Sequence, residues 1–410
     1  MNFIFKIYIV SICLAVLLAK KHRKGIKREN EDSPEDTSNS RIDLRGNLLK
    51  TLFVFCGHPA ENSVCSPLSA LMPLAKLALG AEGQTQEELI PALGVSRMSK
   101  IRNRFKPLLV ELRYLPGGKL DIASRLYVSQ TAHLHRPFVD QSRDIFGSSA
   151  VKLDFQNSTY AAEEINLWVS SQTNHMIKDI VAPFDISPTT SLVLVNAVYF
   201  SGRWKEPFDK VDNKTFYSPM GSITVPMMTR SGYYNYTTSD ALSAEIIEIP
   251  YLGEKASFVI VLPTTQLGLS ILLSQLKLAP ELLDSAMASM HETNVDLNVP
   301  KFRIESTSNL RELYEVAGVK KIFDTKDSGL TKITRDGSVY VTSAKQKAFI
   351  DVHQFGSEAG ASSSISMSKL SYQKPLRFNA DHPFLFFILV KKEQLFSGTL
   401  LYPPLSNQAS

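Results

Sequence analysis

The sequence predicts an α+β protein built as one large domain, and three observations carry that prediction. Short apolar or alternating runs with strand spacing are interleaved along the chain with stretches whose apolar residues recur at helical spacing. Hydrophobic residues make up 44% of the 410 positions, ample material for a core. No Pro-, Gly- or Ser-rich linker divides residues 45 to 340. This length by itself favours two or three domains, yet one continuous body is expected.

The N-terminus is expected to lie outside that body. Lys6 is followed by an apolar run from Ile7 to Ala19, broken only by Ser11. That is the length of a signal-peptide core and short for a spanning helix, so residues 1–19 are expected to be a cleaved secretion signal. The flank Lys20-Lys21-His22-Arg23-Lys24 is more basic than the N-terminal side, against the usual orientation. A cut after Ala15 suits the small-residue preference better than one after Ala19, which would leave Leu17 upstream. Residues 20–42 are a basic block followed by an acidic one, too poor in apolar side chains to order themselves, and are expected to be a disordered extension. Lys27-Arg28 is a candidate dibasic processing site within it. The folded domain is expected over 43–405, with 406–410 as a tail.

Leu44 to Cys56 has helical spacing and ends at Gly57. Asn62 to Cys65 predicts a short buried strand running into a helix with Pro67 in its first turn, continuing through Leu71, Leu74 and Leu77. A shorter helix is expected from Thr85 to Leu93. Ile122 to Val128 alternates as a strand does, and Leu192 to Phe200 is a continuous apolar run suited to a strand buried on both faces. Phe258–Leu262 and Val295–Val299 supply further strands, and Leu310 to Gly318 an amphipathic helix.

Near the C-terminus the pattern changes. Ala348-Phe349-Ile350-Asp351-Val352 is strand-like, whereas Gly356 to Ser368 is small and polar. Taken alone this second half reads as a surface linker. Every second residue from Ser357 gives Ser357, Ala359, Ala361, Ser363, Ile365 and Met367; the interleaved set is Glu358, Gly360, Ser362, Ser364 and Ser366. In a strand those sets point to opposite sides of a sheet. The segment is a loop with the patterning of a strand.

No catalytic constellation stands out. Ser357 falls second in Gly356-Ser357-Glu358-Ala359-Gly360, so the stretch is not a nucleophile elbow. There is no phosphate-cradling loop and no HExxH, and the closest His pair, His133 and His135, is weak ground for a metal site. No enzyme activity, cofactor or metal is expected. The net charge of +5 suggests no nucleic-acid partner. With Cys13, Cys56 and Cys65 only, a disulfide framework is excluded; Cys56 and Cys65 could pair, but two buried thiols are expected. Candidate N-glycosylation triplets begin at Asn157, Asn213 and Asn235. Arg97, Lys100, Arg102, Arg104 and Lys106 form a basic run with no acid among them, either a solvated helix face or a site for a glycosaminoglycan-like polyanion.

Several of these stretches resemble one family. Ser66-Pro67-Leu68-Ser69 with Gly80-Ala81-Glu82-Gly83-Gln84-Thr85, Asn166-Leu167-Trp168-Val169 through Thr173 to Ile180, and Asn196-Ala197-Val198-Tyr199-Phe200-Ser201-Gly202-Arg203-Trp204 are similar to serpin motifs. Gly356-Ser357-Glu358-Ala359 resembles the serpin hinge, and Arg377-Phe378-Asn379-Ala380-Asp381-His382-Pro383-Phe384 the C-terminal signature. The resemblance covers roughly residues 43–405.

The resemblance implies three β-sheets, eight or nine helices and an exposed reactive-centre loop at about 354–376. It further implies a monomer that inhibits serine proteases, and possible cysteine-protease targets, as a suicide substrate. The target forms an acyl-enzyme and is trapped as the cleaved loop inserts into the central sheet. Counting from Gly356 and from Phe378 places the scissile bond at Leu370–Ser371, suited to chymotrypsin- or elastase-like pockets; Lys369–Leu370 is the trypsin-like rival. Hinge residues are Gln354, Gly356, Ser357, Glu358, Ala359, Gly360 and Ala361. Shutter and breach positions are Ser66, Ser69, Asn196, Trp204, Lys301 and Gln346. Gln346 stands where many serpins have His, and Gln354 where a Glu often faces Lys301, so a non-titrating shutter and a looser hinge are expected. A serpin-fold carrier or signalling protein is the alternative.

Overall fold

A computed structural model describes residues 61–112, 114–337, 339–356, 374–390 and 393–404. The secretion signal, the charged extension, the 44–56 helix and the loop from Ser357 through Leu370 and Ser371 lie outside the described residues. The chain divides into Met1–Ile42 and Asp43–Ser410, and everything described belongs to the second unit.

Its elements follow the interleaving read from sequence. β1 (Ser63–Cys65) leads into α1 (Pro67–Ala78), α2 (Gly83–Ala92) and α3 (Lys100–Leu112). Then come β2 (Gly118–Ser129), α4 (Arg136–Phe146), β3 (Val151–Leu153), α5 (Ser158–Gln172) and β4 (Leu192–Gly202). β5 (Lys210–Ser218), β6 (Gly221–Ser239), β7 (Ala244–Pro250) and β8 (Ala256–Pro263) precede α6 (Leu269–Leu278) and α7 (Glu281–Ala288). The chain ends through β9 (His291–Pro300), β10 (Phe302–Asn309), α8 (Leu310–Val316), β11 (Val341–Val352), β12 (Leu376–Asn379), β13 (Phe384–Val390) and β14 (Glu393–Leu400).

Among the described residues, two hydrogen-bonded sheets result. One has five strands in the order β10-β11-β4-β2-β3; the other has nine, β1-β14-β13-β8-β7-β6-β9-β12, with β5 on β6. The expected three sheets become two because β6 runs 19 residues and pairs with β5, β7 and β9, joining two limbs into one ladder. In the five-stranded sheet β4 pairs antiparallel with β2 but parallel with β11. This parallel seam is the feature on which the site is built.

The main core lies between the sheets, where Phe258, Phe302, Phe384 and Phe386 pack ring against ring. α1 threads this core and every one of its residues is buried, as an almost wholly apolar helix should be. β4 is likewise buried throughout. α5 and residues 177–186 cover the other face of the five-stranded sheet, with Ile165, Val169 and Ile177 against Val193, Val195 and Phe349. α5 ends at Gln172, short of the Ile180 to which its motif runs. Asn174 and His175 adopt left-handed φ, +51° and +60°, which stops the helix. Asn166 keeps the rest of the motif in place, its Oδ1 accepting from the backbone N–H of Ile180 and Val181 at 3.0 and 3.1 Å.

Candidate functional site

The seam between β4 and β11 is closed in its middle by a buried polar cluster. Ser66 caps α1, its Oγ accepting from Ser69 N at 3.3 Å, and Pro67 occupies the first helical position, where no N–H is needed. Gln346 of β11 stands in register with Asn196 of β4. Its Oε1 accepts from Ser66 N at 2.9 Å, and its Nε2 donates to Ser66 O at 2.9 Å and to Ser69 Oγ and Asn196 Oδ1 at 3.2 Å. The primary amide thus grips both backbone groups of Ser66, as a neighbouring strand would. Asn196 Nδ2 donates to Ser69 O at 2.7 Å, and Ser69 Oγ donates to Asn196 Oδ1 at 2.5 Å. None of the four side chains is more than 1% exposed, so each bond closes a group that water cannot reach. Sequence reasoning named all four, and the structure brings them together without a titrating member.

At the upper end of the seam the closure is of another kind. Trp204 stacks on Tyr251, with centroids 4.5 Å apart and planes 9° apart, and its Nε1 donates to His353 O at 2.8 Å. Phe208 N donates to Gln354 O at 3.0 Å. Gly356 takes φ +87° and bridges to Arg203; a Cβ there would run into Gly202 O and Arg203 Cα. Only glycine fits both the backbone sign and the close approach. Lys301 is exposed, and among the described residues no side-chain bond joins it to Gln354. Phe355 is 37% exposed beside it. Ser357, Glu358, Ala359, Gly360, Ala361, Lys369, Leu370 and Ser371 lie outside the described residues.

The segment after α5 straps the seam. Lys345 of β11 reaches Asp185 at 2.5 Å, and Lys347 donates to Asp179 O at 2.6 Å while also pairing with Glu305. Sequence reasoning missed this strap and the Tyr251 stack. Their partners are far apart in the chain and carry no motif of their own.

The basic run does not form one free cationic face. Arg97 and Lys100 are exposed, but Arg102 and Lys106 both pair with Asp144, which α4 brings against α3. Arg104 is half-buried, and burial holds its pKa below the usual guanidinium value. The absence of acids within the run was legible; the acid supplied by the neighbouring helix was not. Asn157, Asn213 and Asn235 are all exposed. Asn157 caps α5 through Oδ1, which accepts from Tyr160 N at 3.1 Å, whereas Asn235 Nδ2 donates to Glu248 at 3.0 Å. His133 is held by Asp336 at 2.7 Å and has no metal-binding company among the described residues.

A family model described as serpin (serine protease inhibitor) matches residues 47–403, spanning shutter, hinge and C-terminal strands together. The chain belongs to the serpin family. It is 40% identical over 346 residues to antichymotrypsin-2 of Bombyx mori, covering 83% of this chain and 92% of that protein. It is 39% identical over 350 residues to antitrypsin of the same organism, covering 84% and 89%. Serpin48, described as a highly specific serpin in the insect Tenebrio molitor, superposes with a TM-score of 0.80 at 29% identity, covering 91% of this chain and 100% of that one. This serpin is a protease inhibitor rather than an enzyme.

Proposed function

We propose that this serpin is a secreted, monomeric inhibitor that offers Leu370–Ser371 to a chymotrypsin- or elastase-like serine protease. The observation that carries the reading is the parallel β4–β11 seam, with the loop leaving from the end of β11. A segment folding back from Gly356 runs antiparallel to β11, and hence to β4 as well. Insertion replaces one parallel ladder by two antiparallel ones, the better-bonded arrangement. Ser357, Ala359, Ala361, Ser363, Ile365 and Met367 then face one side, with Ser357 entering first. None of them carries a charge that burial would penalise.

The chemistry follows from the trap. The target's nucleophilic oxygen adds to the Leu370 carbonyl and the bond to Ser371 breaks. The new amine of Ser371 leaves with a proton, and Leu370 remains as an ester on the protease. Insertion carries that ester away before water can attack it. To admit the strand, Gln346 and Asn196 must part, and the Lys345–Asp185 strap must lift. The proposed roles are therefore shutter for Ser66, Ser69, Asn196 and Gln346, breach for Trp204 and Lys301, and hinge for Gln354, Gly356 and the residues to Ala361. The names of the two silkworm relatives span chymotrypsin and trypsin, so Lys369 remains the rival recognised residue. The signal-like residues 1–19 and the exposed Asn157, Asn213 and Asn235 support secretion and glycosylation. With Arg102 and Lys106 already paired, polyanion binding has Arg97 and Lys100 as its cations free of ion pairs among the described residues, and is expected to be weak.

Incubation with chymotrypsin, elastase and trypsin, followed by denaturing electrophoresis and mass analysis of the released peptide, tests this. A complex stable in SDS with a peptide starting at Ser371 is expected. A peptide starting at Leu370 transfers the role to Lys369. Cleavage without a complex, under every enzyme, overturns the inhibitory reading.

A further inference from the structure

Helix α1 is attached to both sides of the β4–β11 seam. On the β11 side Gln346 holds both backbone groups of Ser66, and Tyr314 Oη of α8 donates to Ala70 O at 2.7 Å. On the β4 side the helix is held at two points. Ser69 and Asn196 form the first. The second is Lys76, whose Nζ donates to Ser124 O of β2 at 2.5 Å and to Ser148 Oγ, just past α4, at 2.8 Å. Ser124 is the β2 residue in register with Asn196. The two attachments therefore grip neighbouring strands at one level of the sheet. A strand entering beside β4 has to part the bonds of one side from those of the other.

Lys76 is 1% exposed and is the one charged side chain of α1. The charged groups that face it come from β2: Arg125, and Asp121, whose carboxylate has Lys119 at 3.2 Å. α3, α4 and α5 face it, among the described residues, with groups that do not titrate: Leu112, Phe146 and Gln172. The Phe146 ring centroid is 5.6 Å from Nζ. Among the described residues no carboxylate lies within ion-pairing distance of Nζ. Burial, with Arg125 second, pushes its pKa down to about 7. Near neutrality the closed protein is therefore divided between amine and ammonium. The amine keeps two N–H donors, enough for Ser124 O and Ser148 Oγ, and has no charge to desolvate. The ammonium is buried without a counter-ion.

We propose that Lys76 is a positioning residue for loop entry, a latch between α1 and β2 that holds the seam tighter as pH rises. The inference rests on the insertion reading given above. As α1 and β2 separate, water reaches Nζ, hydrates the ammonium and lets the side chain titrate closer to its usual range. Above about pH 7 the opened form then binds more protons than the closed one, so opening becomes harder as pH rises. Below that point both forms carry the proton, and the dependence vanishes. A purely structural role for Lys76 would change the rate of opening by the same factor at every pH.

The test mixes the uncleaved full chain with a synthetic peptide of residues 357–370 and follows its uptake on native gels from about pH 6 to about pH 9. The expected rate is level below about pH 7 and falls about threefold or more by about pH 9. Lys76→Met, which keeps the apolar stem without the amine, is expected to be level throughout. Lys76→Gln is read in the same way should the Met variant fail to fold. A parent rate that is level across the whole range overturns the proposal, and so does a variant that keeps the parent's slope. Either result leaves the insertion reading standing, because the peptide has still entered. No uptake at any pH sinks the insertion reading itself, and the latch falls with it.

Discussion

The middle and the upper end of the β4–β11 seam are closed by opposite means. In the middle, four buried side chains satisfy one another and the α1 terminus, and none can be removed without stranding a partner. At the upper end the closure is a glycine bridge, an aromatic stack and backbone bonds at His353 and Gln354, with Lys301 and Phe355 open to water. Breaking the middle exposes the full desolvation cost of unpaired polar groups; breaking the end gives most of its groups back to solvent. We expect a seam so built to open from the end and to be checked in the middle.

The sharpest way to break this contrast is Asn196→Ala. It removes the acceptor of Ser69 Oγ and Gln346 Nε2 and the donor to Ser69 O, and we expect a loss of about 2–4 kcal/mol in denaturant unfolding, with faster polymerisation on heating. Gly356→Ala comes next. A methyl group at φ +87° that also meets Gly202 and Arg203 should cost about 1–3 kcal/mol, read as a lower midpoint of the first unfolding transition. An Ala variant as stable as the parent would show that the upper end is not held by this bridge.

Much of the seam was legible beforehand. The serpin resemblance set Asn196 and Gln346 together near Ser66 and Ser69, and Pro67 by itself marks a helix start. The alternation from Ser357 to Met367 states which side of a strand each residue would take. The strands from Lys210 to Ser239 were not legible. They are largely solvent-facing, so the apolar contrast that reveals a half-buried strand is weak, with β5 burying only Phe216. Nor did the sequence show that Tyr251 meets Trp204, or that Asp144 neutralises Arg102 and Lys106, because those contacts come from packing between elements. Lys76 did carry a signal, as the one charge in an otherwise apolar helix.

Gln346→His sharpens the comparison through pH. Gln346 cannot titrate, so the parent should show no contribution from this site between pH 5 and 8. A His buried there has its native pKa pushed below about 6.5 by desolvation. The unfolded chain then binds more protons, and stability rises with pH across the window between the two pKa values and is lost below it. The expected total change across that window is about 1.4 kcal/mol for each unit by which the pKa is displaced, checked by unfolding at several pH values. The smallest effect is expected from Gln354→Glu. The serpin resemblance sets this position opposite Lys301, which is exposed, so a new charge there should add less than about 1 kcal/mol and slow heat-induced polymerisation. Unchanged polymerisation would remove the looser hinge from the account.

The central claim is that the seam accepts the loop as a strand. Hydrogen exchange on protein cleaved at Leu370, read on peptides from 357–368 and from β4 and β11, tests it most directly. Strong protection of residues 357–368 in the cleaved protein, with β4 and β11 protected at least as well as before, is the predicted result. Free exchange across 357–368 after cleavage would contradict it.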